Sequence, residues 1–446
     1  MNSARTTIRA SVLPLAAVLV LAACTGSGGP ATGEQSGTAT PSAEPTGAPT
    51  TAVPDVAGPP DASAATTGSA PETADETAAT TSPTTTSPAT EGPSAARARA
   101  CVDAAAALDD ADKVGQLFML SKDARTPVDA AFRDLLEQTR PGSILLLGES
   151  HAGVEATAAL TEAVRSAAPT PEDVGLLVAA DQEGGQIQRL RGPGFERIPS
   201  AVEQASMDEA DLQEAATRWG EQLKAAGVDV ALAPVADVVP PEWAGVNEPA
   251  ALLARHYGED AEQVQPRLAA FVEGMDEAGV ATSLKHFPGL GRVVGNTDFS
   301  GGVVDTETGP DHPDLQAFRG QAGEVADMVM IATAVYDLID PGVPAAFSDV
   351  VIDDLLRGQL GFDGVVIADD LGAAAQVSNV APGERAVRFL QAGGDIVINA
   401  NPAVHRQMVD AVHAAAEEDP ELAQEIDAKV ARVLAMKERR GVADCG

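Results

Sequence analysis

Basic residues are in short supply in this sequence: 29 Lys and Arg stand against 66 Asp and Glu, a formal net charge of −37. So acidic a surface repels other polyanions, which excludes nucleic acid as a partner and excludes electrostatic adhesion to anionic lipid or wall polymers. The acids are spread along the chain rather than gathered in one tail, so they describe a solvated surface. Histidine is scarcer still. The six, His151, His256, His286, His312, His405 and His413, are scattered without ligand spacing, so no metal site is expected. No cluster of glycines forms a nucleotide-binding fingerprint opening a helix. The N-terminal apolar run, Val12 to Leu21, is too short for a comfortable transmembrane helix. Cysteine is limited to Cys24, Cys101 and Cys445.

Residues 1–23 combine a basic start (Arg5, Arg9), that apolar run, and small residues before Cys24, the pattern of a secretory signal. The tetrad Leu21-Ala22-Ala23-Cys24 resembles a bacterial lipoprotein signal. That implies an exported protein with lipid on Cys24, anchored to the outer face of the cytoplasmic membrane; an ordinary signal peptide with an incidental Cys is the alternative. Two or more acyl chains, at about 0.8 kcal/mol per buried methylene, give stable attachment. Residues 24–100 are dominated by Ala, Thr, Pro, Ser and Gly. They carry too little apolar bulk to offset chain entropy and are expected to form a disordered tether. With Cys24 lipidated, Cys101 and Cys445 remain at the two ends of the folded part. In an exported protein this suggests one disulfide joining them, with two unrelated thiols as the alternative.

Residues 101–446 show no second low-complexity linker and are read as one domain. Eight short apolar runs stand out: Gln116–Leu120, Ser143–Leu147, Leu176–Ala180, Asp229–Val235, Ala281–His286, Met328–Thr333, Gly364–Ala368 and Asp395–Asn399. Most are continuously apolar rather than alternating, as expected of parallel strands covered on both faces. Amphipathic segments lie between them, among them Val154–Ala167, Met207–Ala226, Ala261–Ala278 and Pro402–Glu418. Such alternation favours an α/β fold of the (β/α)8 TIM-barrel type over a doubly wound open sheet. Polar residues gather just where the runs end: Asp181, Asp237, the pair Lys285-His286, and the pair Asp369-Asp370. In a barrel these ends converge on one rim, where chemistry sits. Side chains that both donate and accept suit a neutral, hydroxyl-rich ligand.

Five stretches in order, VAADQEGGQIQRL (Val178–Leu190), ALAPVADV (Ala231–Val238), ARHYGED around Arg255, KHFPG (Lys285–Gly289) and LGFDGVVIADDL (Leu360–Leu371), resemble glycoside hydrolase family 3, specifically its single-domain β-N-acetylglucosaminidases. The resemblance implies a (β/α)8 barrel, no cofactor, a monomer, and a retaining exo-glycosidase that removes a terminal β-linked sugar from cell-wall glycan or muropeptide fragments. It places the nucleophile on Asp369, a choice that strand periodicity leaves open between Asp369 and Asp370. It places sugar-binding positions on Asp181, Arg189, Arg255, Lys285 and His286, with Asp237 as a weaker ligand. Lys285 and Arg255 are expected near Asp369, keeping it ionised. One part departs from the family pattern. Leu290 replaces the His of KHFPGHG, and in the loop Asn296-Thr297-Asp298-Phe299-Ser300 a serine stands where the acid/base His is expected. The replacement acid is Asp298, with its pKa raised by partial burial, or a residue from another loop. The missing His also leaves a second reading: a member that binds wall glycan without turnover.

Overall fold

The computed structural model describes residues 93–320 and 325–446. The expected signal segment, Cys24 and the tether up to residue 92 lie outside the described residues. All eight expected strands form: β1 (Phe118–Asp123), β2 (Ser143–Leu147), β3 (Leu177–Ala180), β4 (Val230–Ala231), β5 (Ala281–Phe287), β6 (Met328–Ile331), β7 (Val365–Ala368) and β8 (Val397–Asn399). They pair in parallel in the order β7-β6-β5-β4-β3-β2-β1-β8, and a bridge between Ile367 and Ile396 joins β7 to β8 and closes the sheet into a barrel. The open-sheet alternative is thereby set aside. β4 is shorter than the apolar run Asp229–Val235 because Pro234, near its end, has no N–H for the ladder.

Both faces of the strands are dry, which is why the runs read as continuously apolar. Met119, Leu145, Ala179, Val230, Met330 and Ile367 fill the interior. Their neighbours Phe118, Leu120, Ile144, Val178, Ile331 and Val366 turn outward to the helices. Helices Val154–Ala167 and Pro402–Glu418 occur with the bounds expected.

Two helices depart from expectation. Pro93–Ala107 lies partly within the stretch read as tether, so helix begins before residue 101. Its Ala and Arg residues are strong helix formers and Pro93 takes the first position, where no N–H is needed. It packs on the second helix, Pro420–Arg439, which plugs the N-terminal end of the barrel with Val433 and Met436. There Lys437 is fully buried, donating to Gln116 Oε1 at 2.6 Å and to the carbonyls of Gly142 and Gly175 at 2.8 Å each. Burial brings its pKa down to about 7.

Three buried acids just ahead of β4, β6 and β8 complete this lower face. Asp229 pairs with Arg165 at 2.6 Å, Asp327 with Arg439 at 3.3 Å, and Asp395 with Arg357 at 2.8 Å. Cys101 and Cys445 form a disulfide with their Cα atoms 4.9 Å apart.

Candidate active site

At the opposite end, the C-terminal ends of the strands surround a cavity of about 530 Å³. Asp181, Arg189, Arg255, Lys285, His286, Asp298 and Asp369 all line it. They come from distant stretches because they end or follow four different strands: Asp181 and Arg189 follow β3, Arg255 follows β4, Lys285 and His286 end β5 with Asp298 in the loop after it, and Asp369 follows β7. Lys285 and His286 are consecutive, yet both reach the cavity. The register of β5 against β6 shifts between Lys285 and Phe287, and such an irregularity breaks the two-residue alternation of a strand.

The polar floor is a network of ion pairs. Lys285, 2% exposed, places Nζ 2.8 Å from Asp181 Oδ1 and 2.7 Å from Glu183 Oε1. Arg255 grips Glu183 with two parallel hydrogen bonds of 2.8 Å. Burial pushes the Glu183 carboxyl up, but Arg255 and Lys285 outweigh it and bring the pKa down to about 2. Burial likewise disfavours the Lys285 ammonium, and the two acids more than offset it, so its pKa is raised. Glu183 did not figure among the expected site residues. Its signal was present: it stands two residues after Asp181, in a hairpin (Gln182–Gly184 with Ile187–Gln188) that folds back onto the rim. Lys285 and Arg255 line the same cavity as Asp369, while their direct ion pairs run to Asp181 and Glu183.

Asp237 is not in the cavity wall. It is fully buried beneath it, accepting from the backbone N–H of His286 at 3.0 Å and of Leu290 at 2.8 Å. Its other oxygen lies 2.8 Å from His286 Nδ1. Because Asp237 only accepts, Nδ1 carries the proton, leaving Nε2 to receive the Arg255 N–H 3.4 Å away. Asp237 therefore positions His286 and the start of the following loop rather than touching a ligand. Arg189 differs from the other cations: its Nε is buried and has no hydrogen-bond partner among the described residues.

The acids at the end of β7 separate clearly. Asp370 is fastened by three backbone amides, those of Gly372 and Ala400 on Oδ1 and of Ala373 on Oδ2. Among the described residues Asp369 accepts only the amide of Asp370, on Oδ1, which leaves its Oδ2 unclaimed by them. Across the cavity, the loop after β5 is tied at both ends. Asn247 donates to the carbonyls of Leu290 (2.6 Å) and Val293 (2.8 Å). The amides of Ala375 and Gln376 bond the carbonyls of Asp298 and Thr297, each at 3.1 Å. The Asp298 carboxyl itself makes no hydrogen bond to the described residues. Partial burial, then the negative charges of Asp369 and Asp370, push its pKa up to about 6, although over a third of the residue is open to water, which screens charge. Leu290 is buried in the loop's base, and Ser300 is not among the residues lining the cavity.

A catalytic rim with a polar floor and two unfastened acids is now in place, and the relationships of the chain agree with it. Residues 110–436 match the family described as the glycosyl hydrolase family 3 N-terminal domain. The chain belongs to glycoside hydrolase family 3. Among its relatives in this family, a β-hexosaminidase of Stenotrophomonas maltophilia (strain R551-3) is 35% identical over 305 residues, 65% of this chain and 84% of that one. The crystal structure of a β-N-acetylhexosaminidase from Beutenbergia cavernae is 48% identical with a TM-score of 0.72, spanning 74% of this chain and 99% of the other. A family 3 β-N-acetylglucosaminidase from Paenibacillus sp. str. FPU-7 is 31% identical with a TM-score of 0.66, over 75% of this chain and 63% of its own.

Proposed function

We propose that this family 3 glycosidase is a retaining exo-β-N-acetylhexosaminidase that removes terminal N-acetylglucosamine from cell-wall glycan fragments. In this reading Asp369 is the nucleophile and Asp298 the acid/base. One observation carries it: of the consecutive acids at the end of β7, Asp370 has both oxygens held by backbone amides, whereas Asp369 Oδ2, like both Asp298 carboxyl oxygens in the same cavity, accepts no hydrogen bond among the described residues. Asp181 is ion-paired with Lys285. In the first step Asp369 Oδ2 attacks the anomeric carbon as Asp298 gives its proton to the departing glycosidic oxygen. Water then attacks the glycosyl-enzyme. Asp298 takes its proton and the bond to Asp369 breaks, restoring both carboxyls and the original configuration. Asp181, Arg189, Arg255, Lys285 and His286, which line the cavity, orient the sugar hydroxyls.

An exported protein held by lipid on Cys24 would meet such fragments at the cell envelope; the N-terminal sequence supports that placement. The test is incubation of the protein with a panel of activated aryl β-glycosides, followed by mass spectrometry. Turnover of the N-acetylglucosaminide, and a glycosyl adduct on a peptide containing Asp369, are expected. No turnover and no adduct across the panel would overturn the proposal.

A further inference from the structure

We propose that Phe299 is the platform of a leaving-group subsite, on which the apolar face of a second pyranose ring stacks while the bond joining it to the terminal sugar is cut. This rests on the glycosidase reading and deepens it, since it names what recognises the part of the substrate that departs.

Phe299 is 83% exposed, yet it lines the same cavity as Asp298 and Asp369. A single exposed apolar side chain is ordinary. What distinguishes Phe299 is its address. The glycosidic oxygen must come within hydrogen-bonding reach of the acid, Asp298. The leaving sugar begins one bond beyond that oxygen, and Phe299 is the residue next to the acid. The ring makes no aromatic pair with another described residue, so packing does not account for it. It is also held out rather than trailing. The Phe299 amide donates to Asn296 O at 3.1 Å, and Asp298 and Thr297 are pinned by Ala375 and Gln376, so little backbone entropy remains to be lost on stacking. Two further exposed apolar side chains, Val294 and Leu252, come from this loop and from the neighbouring one, which Asn247 joins to it.

The division of labour is chemically sensible. The floor of charged groups can pair with a ring's hydroxyls on every side, which suits the terminal sugar. An aromatic face cannot pair with hydroxyls but covers the C–H face of a pyranose, leaving its equatorial hydroxyls in water. The occupant predicted is therefore a β-linked sugar rather than an anionic group, which the charges of Asp369 and Asp370 would repel.

The experiment compares the unaltered protein, Phe299→Ala and Phe299→Tyr on two substrates sharing the same terminal sugar: β-1,4-linked di-N-acetylglucosamine and methyl β-N-acetylglucosaminide. Phe299→Ala should lower kcat/KM about three- to tenfold on the disaccharide, mainly through KM, and leave the methyl glycoside within about twofold. Phe299→Tyr should restore the disaccharide. Equal losses on both substrates, or no loss on the disaccharide, would overturn the subsite. Failure of the glycosidase reading looks different: the unaltered protein turns over neither substrate. The comparison is then made by calorimetry, where Phe299→Ala should weaken binding of the disaccharide but not of free N-acetylglucosamine; parallel or absent weakening again rejects the proposal.

Discussion

The acid/base role proposed for Asp298 carries a dependence on pH that can be measured. The Asp298 pKa is raised to about 6, so the protonated acid is present below that value and is lost as pH rises through it. The limb of kcat/KM on the alkaline side should fall near pH 6, and Asp298→Asn should abolish that limb. A general acid typically contributes about 10²–10⁴-fold. Asp298→Asn should therefore cost that much in kcat/KM on a disaccharide and little in kcat/KM on an aryl glycoside whose leaving group needs no proton, while kcat on the aryl glycoside falls because the second step loses its base. An equal loss of kcat/KM on both would show a structural role instead. Residues also mark the limit of what sequence could tell. Strand-end spacing brought Asp181, Lys285, His286 and Asp369 to one rim, but it could not separate Asp237, under the floor, from residues in the wall. Nor could it choose between Asp369 and Asp370, because only the amides of Gly372, Ala373 and Ala400 show which acid is tied down.

Among the elements, the strands were the most legible, since burial on both faces writes an unbroken apolar run that no surface helix imitates. Helix Pro420–Arg439 was harder to see: its buried face mixes Val433 and Met436 with Lys429 and Lys437, and a buried lysine breaks the pattern by which a core face is recognised. The loop after β5 was legible as a break in regularity but not in its stiffness, which depends on Asn247, 43 residues before Leu290 in the chain. Asn247 satisfies two carbonyls of this loop and, through Oδ1, the amides of Ala250 and Ala251. Asn247→Ala should leave these buried groups without partners, lowering stability by about 1–3 kcal/mol by denaturant titration. It should also lower kcat on the disaccharide by about tenfold or more, as expected when an acid is displaced by a fraction of an ångström, while affinity for free N-acetylglucosamine holds. A matching loss in both readouts would mean that the loop does not set the acid's position.

For the whole molecule, the two ends of the barrel are specialised. The upper rim keeps acids free for reaction, whereas the lower face commits Asp229, Asp327 and Asp395 to arginines. The disulfide belongs to the lower end, joining the helix Pro93–Ala107 to the segment after Pro420–Arg439 across 344 residues of sequence. Replacing both cysteines with alanine should lower unfolding free energy by about 2–5 kcal/mol without changing kcat, read from denaturant curves and aryl-glycoside turnover on the same samples. A fall in kcat would place the cross-link's influence at the rim.

That bond has a topological effect beyond its energy. Residues 101 to 445 form a closed covalent ring, so a single proteolytic nick in any surface loop opens the ring without dividing it. The nicked protein stays one molecule, its fragments separating only after both reduction and unfolding, and a rim assembled from β3, β5 and β7 remains tied together through the damage.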